Sequence, residues 1–120
     1  ANKKNINLNK ILFLGVAYKK NVDDLRESPS IKIMNLFHKK KYKIQFNDPY
    51  IDKIFLGNKK RKILYSQTIN YKNFSNYDAI IISTNHDSYN YKNILKYSKN
   101  IIDTRGVFKN FTFKDKINFV

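Results

Sequence analysis

Short apolar runs separated by polar stretches set the rhythm of this chain. Lys10-Ile11-Leu12-Phe13-Leu14-Gly15-Val16 has an unbroken apolar middle, the pattern of a strand covered on both faces. A mixed polar loop runs from Tyr18 to Glu27. Ser28-Pro29 then reads as a helix start, with serine able to cap and proline suited to the first helical position. Over 29–40, Ile33 and Phe37 share a face, flanked by Met34 and Leu36, while Lys32, Asn35 and Lys39 point outward. That spacing predicts an amphipathic helix. Tyr42 to Asn47 alternates as a strand over 43–47 does, and Asp48-Pro49 stops it. Asp52 to Leu56 reads as a short helix, Gly57-Asn58 as a turn, Ile63-Leu64-Tyr65 as a short strand and Tyr71 to Tyr77 as another short helix. Ala79 to Thr84 is the plainest buried strand. Tyr91 to Lys99 lines up Ile94, Leu95 and Tyr97 on one side of a helix, and Asn100 to Thr104 is a strand leading into Arg105-Gly106. Residues 1–9 form a polar arm, and 116–120 a candidate edge strand.

Strands thus alternate with amphipathic helices, which predicts an α/β fold around a mainly parallel sheet with right-handed crossovers. Ligands of such sheets bind beyond the carboxyl ends of the strands, where the strand order reverses. Three polar segments fall at those ends: Tyr18 to Glu27, Asn85 to Tyr89, and Arg105-Gly106.

Composition narrows the chemistry. A chain of 120 residues makes one domain, large enough for a core without staples. It has no Cys, so it holds no disulfide, thiolate metal site or Cys nucleophile. Its three glycines, Gly15, Gly57 and Gly106, are too dispersed for a dinucleotide fingerprint or a P-loop. Two histidines, His38 and His86, do not make a three-histidine zinc site, and no metal is expected. No apolar run approaches a membrane span, and residues 1–10 do not read as a signal peptide.

The net charge of +15 suits a polyanion partner, or a solvated basic surface in a chain rich in Lys, Asn, Ile and Tyr. The lysines are scattered, with dense clusters only at His38 to Lys41 and Lys59 to Lys62. Against that background the three arginines, Arg26, Arg61 and Arg105, stand out. Lys19, Arg26 and Arg105 follow predicted strands, and convergent cations are what a phosphate or diphosphate requires. The helix opened by Ser28-Pro29 adds N–H groups suited to an anion. Arg26 has an alternative role, pairing with Asp23 or Asp24 to pin its own loop. His86 reads as a loop-fixing residue more than an acid or base, and His38 as exposed. Tyr71, Tyr77, Tyr89, Tyr91 and Tyr97 fit core positions better than a nucleic-acid stacking surface.

The loop sequence from Gly15 to Pro29, Gly-Val-Ala-Tyr-Lys-Lys-Asn-Val-Asp-Asp-Leu-Arg-Glu-Ser-Pro, closely resembles a signature of nucleotide-sugar dehydrogenases. The match is to the C-terminal, UDP-sugar-binding domain of the UDP-glucose/GDP-mannose dehydrogenase family. It continues through Asp48-Pro49-Tyr50, Tyr77-Asp78-Ala79, His86 with Tyr89 and Tyr91, and Asp103-Thr104-Arg105, in order, across most of the chain. Tyr18-Lys19 with Asp23-Asp24 resembles the UDP-N-acetylglucosamine 6-dehydrogenase type more than the glucose branch. Asn85 and Gly106 depart from the family, where Asp and Asn are common.

The resemblance implies a Rossmann-like three-layer sandwich, with residues 1–120 forming a single UDP-sugar-binding domain. It implies participation in NAD-dependent oxidation of a UDP-sugar at C6 to the uronic acid, in the cytoplasm, for surface polysaccharide. It assigns Tyr18, Lys19 and Arg105 to the UDP-sugar and Arg26 to NAD bound by another domain. Asp23, Glu27 and Ser28 hold the loop and cap the helix. No catalytic residue is expected on this chain. The amino-terminal NAD domain, the central helical region and the catalytic Cys are absent from it, so it reads as an excised domain or a truncated product, inactive alone. Expected partners are the UDP-sugar, the rest of the dehydrogenase chain and further copies in a homo-oligomer, with no membrane. The rival readings are a small basic nucleic-acid-binding module, disfavoured by the scattered lysines, and a fragment that keeps only the fold.

Overall fold

In the computed structural model, residues 10–17, 21, 28–57, 62–109 and 116–119 are described. Strand β1 (Lys10–Leu14) leads to helix α1 (Pro29–Lys39) and strand β2 (Lys43–Asn47). A hairpin of β3 (Lys53–Leu56) and β4 (Lys62–Tyr65) precedes a 3-10 helix at Tyr71–Asn76. Then follow β5 (Ala79–Ile82), α2 (Tyr91–Tyr97), β6 (Ile101–Asp103) and β7 (Ile117–Phe119). The five-stranded sheet has the order β2-β1-β5-β6-β7, with every neighbouring pair parallel. The order turns back at β1, which pairs with β2 on one side and β5 on the other.

Alternation along β1 divides the core into two layers. Ile11 and Phe13 pack with Ile44, Phe46 and Ile81 beneath Met34 of α1 and Ile54 and Leu56 of the hairpin. Leu12 and Leu14 face the other way, with Ile80, Ile82 and Ile101 against Phe74, Ile94 and Phe108. The α/β sandwich and the parallel strands agree with the expectation from sequence. The tyrosines also fall in the core, Tyr89 buried and Tyr71, Tyr77, Tyr91 and Tyr97 packed around its second layer.

Three local readings are corrected. Asp52 to Leu56 is no helix: Lys53–Leu56 is a strand paired antiparallel with β4. Five residues cannot separate a period of 3.6 from a period of 2, and here Ile54 and Leu56 point inward together while Phe55 stays exposed. The buried face of α1 is also rotated from the one expected. Ser30, Met34 and the packed Ile31 and Phe37 face the sheet, while Ile33 and Leu36 are 39% and 60% exposed. The cause is polar. The Ser30 hydroxyl hydrogen-bonds the buried Ser83 hydroxyl just after β5, so a serine occupies a position that hydrophobicity alone leaves outside. Finally, Ser28 stands at the cap position without capping; its hydroxyl donates to the Val16 carbonyl at 2.6 Å, tying the helix start to the end of β1.

The carboxyl end of α1 carries local strain. The Tyr42 N–H reaches back to the Phe37 carbonyl, and Lys41 between them adopts φ +68°. Glycine is the usual residue for that conformation, because a Cβ costs about 1–2 kcal/mol there. Lys41→Gly is therefore expected to raise stability by about 0.5–1 kcal/mol, after glycine's larger unfolded-state entropy is set against the relieved strain. Urea unfolding of the two chains checks this, and a lower midpoint for the variant contradicts it.

Candidate functional site

The last residues of β2, β1, β5 and β6 stand in one row, Asn47 beside Leu14, Leu14 beside Ile82, and Ile82 beside Asp103. The segments leaving that row make a continuous rim. At its centre the chain after β1 crosses the chain after β5 at close range. Gly15 has φ +88°, and a Cβ built on it falls 2.4 Å from Thr84 Cβ. The crossing is sewn by Ser83 N–H and Thr84 N–H to the Leu14 carbonyl, at 2.9 and 3.1 Å, and by the Thr84 hydroxyl to the Ala17 carbonyl at 2.7 Å.

Asp48, directly after β2, anchors this end of the sheet. Its Oδ2 accepts from Val16 N–H at 2.8 Å and Ala17 N–H at 3.1 Å, and its Oδ1 from Tyr50 N–H at 2.8 Å. His86 Nε2 lies 2.9 Å from the same Oδ2, with both side chains fully buried. Burial works to raise the carboxyl's pKa, but the His86 hydrogen bond and the Val16 and Tyr50 N–H groups outweigh it and hold Asp48 below its ordinary range. The His86 Nδ1 accepts the Asn21 N–H at 2.7 Å, so the ring's proton belongs on Nε2, where it donates to Asp48. His86 is thus a loop-fixing residue, as its sequence position suggested.

Around it, the Tyr91 hydroxyl donates to the His86 carbonyl and the Tyr89 hydroxyl to the Asn47 carbonyl. Burial raises the pKa of both phenols, reinforced by Asp48 near Tyr89 and Asp87 near Tyr91, so both remain donors. Tyr77 is raised by burial as well, and its hydroxyl donates to Gln45. These hydroxyls and rings are engaged within the fold, which removes the tyrosine stacking surface from consideration.

Arg105 enters the rim from β6. Its Nε donates to the Ser83 carbonyl at 2.9 Å, so the exposed guanidinium is steered toward the β1–β5 crossing. The turn that holds it is organised by Asp103, whose carboxylate accepts the N–H groups of Arg105, Gly106 and Phe108 at 3.0, 2.8 and 3.0 Å. Gly106 has φ +72°, a region shared by glycine and asparagine, which accounts for both residue types at this position.

Of the residues expected at the site, Arg105 lies on this rim. Tyr18, Lys19 and Arg26 lie outside the described residues, as do Asp23, Asp24 and Glu27; of their neighbours in sequence, Ala17 lies on the rim and Asn21 bonds to His86. Asp48, Asn21, Thr84 and Asp103 are the organising residues that sequence reasoning left without a role, although the landmarks at Asp48-Pro49-Tyr50, His86 and Asp103 already marked their neighbourhood. Among the described residues no cluster of His, Asp or Glu could hold a metal, and no helix is long and apolar enough to cross a membrane. The space a Gly15 Cβ would take is filled by Thr84, so that glycine serves a chain crossing and not the close approach of a dinucleotide. A separate concavity of about 680 Å³ lies at the far end of α1, where Lys32, the half-buried His38, Lys39 and Lys41 surround Leu36.

Comparison with known proteins places this geometry. Residues 12–110 match the model of the UDP-glucose/GDP-mannose dehydrogenase family, UDP binding domain. Among solved structures, a UDP-D-ManNAc dehydrogenase from Pyrococcus horikoshii is 28% identical over 99% of this chain, with a TM-score of 0.71. Two structures of the UDP-N-acetyl-mannosamine dehydrogenase Cap5O from Staphylococcus aureus, each 22% identical over 97% of the chain, share the fold with TM-scores of 0.68 and 0.66. The chain spans about a quarter of those proteins, 27% of the first and 27% and 26% of the others. No curated protein sequence matches it.

Proposed function

Because this chain belongs to the UDP-glucose/GDP-mannose dehydrogenase family as its UDP binding domain, we propose that its rim holds the UDP moiety of a nucleotide sugar for oxidation at C6 by a longer, NAD-dependent enzyme. The observation that carries this reading is Arg105, fixed through its Nε to the Ser83 carbonyl beside the origin of the Tyr18-Lys19 loop. A guanidinium held through Nε presents its planar fork in a fixed orientation on the rim, the geometry that diphosphate recognition uses. Tyr18 and Lys19 supply the second side of the nucleotide site, and Arg26 reaches NAD on the partner domain.

The substrate class we favour is a UDP-N-acetylhexosamine. The Tyr18-Lys19 and Asp23-Asp24 pairs support it, as do the UDP-ManNAc dehydrogenases among similar structures. The N-acetylglucosamine epimer and UDP-glucose are the alternatives that a substrate panel distinguishes. The family uses NAD, but this chain has no dinucleotide fingerprint and no Cys. Hydride transfer and covalent chemistry therefore fall to the rest of the enzyme, in which we place this chain as the single carboxy-terminal domain, working in the cytoplasm as a homo-oligomer.

UDP titrated into the 120-residue chain is expected to move the backbone signals of Ala17, Asn21 and Arg105, with no NADH formed from a UDP-sugar and NAD. Lys19→Ala and Arg105→Ala should each weaken UDP binding about ten- to a hundredfold, the cost of a lost charge-assisted contact. In the longer enzyme, Arg26→Ala should act on the NAD dependence instead. Identical responses to UDP and to plain sulfate, or NADH formation by the chain alone, contradict the reading.

A further inference from the structure

Three residues, 18–20, separate Ala17 from Asn21, and one buried pair of side chains reaches both ends of that interval. Asp48 holds the entry through the Val16 and Ala17 N–H groups, and His86 holds the exit through the Asn21 N–H. The two are joined by the Nε2 to Oδ2 bond. We propose that Asp48 and His86 are positioning residues for the UDP contact made by Lys19. This rests on the reading of the rim as a UDP site.

Packing alone does not call for this arrangement. A fully buried imidazole is costly unless both nitrogens are satisfied, and here one of its two partners is the N–H of a half-exposed loop residue in a left-handed conformation, φ +62°. The same residue is clamped from its side chain. Asn21 Oδ1 accepts the Asp87 N–H at 3.0 Å, and its Nδ2 donates to the Asp87 carboxylate at 2.8 Å. The imidazole is fixed by its surroundings, with the Tyr50 ring 5.0 Å away and the Tyr89 ring 5.8 Å away. The gain is preorganisation: with the Ala17 and Asn21 backbones already held, less conformational freedom remains to be lost when ligand arrives.

Two substitutions separate the two nitrogens. His86→Asn puts a carbonyl oxygen where Nδ1 sits, keeping the acceptor for Asn21 and losing the donor to Asp48. His86→Gln reaches the Nε2 position and keeps the Asp48 contact, losing the Asn21 acceptor. Calorimetric titration with UDP is expected to show about three- to tenfold weaker binding for His86→Gln, the range of one lost hydrogen bond, and a change within about twofold for His86→Asn. The His86→Gln loss should vanish in a Lys19→Ala background and persist in an Arg105→Ala background, because only the first shares its route. Equal losses in both histidine variants, or a loss undiminished by Lys19→Ala, overturn the proposal. Should neither Lys19→Ala nor Arg105→Ala alter UDP binding, the functional reading fails. The positioning claim is then read from amide exchange at Asn21, faster in His86→Gln than in His86→Asn if correct and equal if wrong. Asn21→Gly keeps the left-handed backbone, drops both bonds to Asp87 and carries the same Lys19 test if the histidine variants do not fold.

Discussion

Asp48→Ala is expected to lower the unfolding free energy by about 3–5 kcal/mol, because four donors lose their acceptor at once. Val16 and Ala17 are fully buried, so their N–H groups have no ready replacement, and His86 Nε2 faces the vacated space. Asp48→Asn should fall between, since its amide can turn its oxygen to the three donors at Oδ2 but then opposes the Tyr50 N–H. The pH dependence has a definite sign. The folded carboxyl titrates below its ordinary 3.8, so its stabilisation is fully present above that value and is lost as pH falls through the lower folded value. The gap between the native chain and Asp48→Ala, measured by urea unfolding, should therefore be constant between pH 7 and 5 and narrow below about pH 4. A gap that stays the same at pH 3 rules out the carboxylate as its source.

Gly15→Ala should be at least as damaging, by about 3–5 kcal/mol, a large part of the stability of a domain this size. Two penalties act together. A φ of +88° is poor for any residue with a side chain, and the new methyl would overlap Thr84 at Cβ, N and Cα, 2.4, 2.7 and 2.8 Å away. Most of that wall is backbone, so the neighbour cannot swing aside. Thr84→Gly in the same chain should recover only part of the loss, because the contacts to residue 84 N and Cα remain. Circular dichroism during urea unfolding measures both. Native-like stability for Gly15→Ala alone would show that the crossing relaxes more than its hydrogen bonds suggest.

Strands β1 and β5 were readable because they are covered on both faces, and a run such as Ile80-Ile81-Ile82 is short and β-branched, which favours a strand over a buried helix turn. The hairpin was not, because Asp52 to Leu56 is too short for its period to be recognised and its pairing with Lys62–Tyr65 leaves no local pattern. The face of α1 was misjudged because Ser30 turns inward to meet Ser83, and binary patterning counts a serine as surface. Arg105 could be singled out by its rarity in a lysine-rich chain and its place after a strand. Its support by Asp103 could not, because an aspartate that accepts three N–H groups leaves no periodic trace. The Asp48 to His86 pair joins positions 38 residues apart, and no local pattern reports such a contact. Sequence resemblance marked both residues without saying why they matter.

The sheet's connectivity bears on how the chain folds. Strand β1 finds each neighbour only across a long interval, Ile11 meeting Ile44 on one side and Ala79 on the other. Loop closure across such distances must come before the pairing that rewards it, so assembly of the sheet is expected to be slower than formation of the hairpin. The hairpin, in which Leu56 pairs with Lys62, is local and antiparallel, and belongs to the time range of microseconds. The rim sits where the late pairings meet: the Gly15 crossing and the Asp48 to His86 bond both need β1 in register with its neighbours. The rim is therefore complete only when β1 has found both of its neighbours.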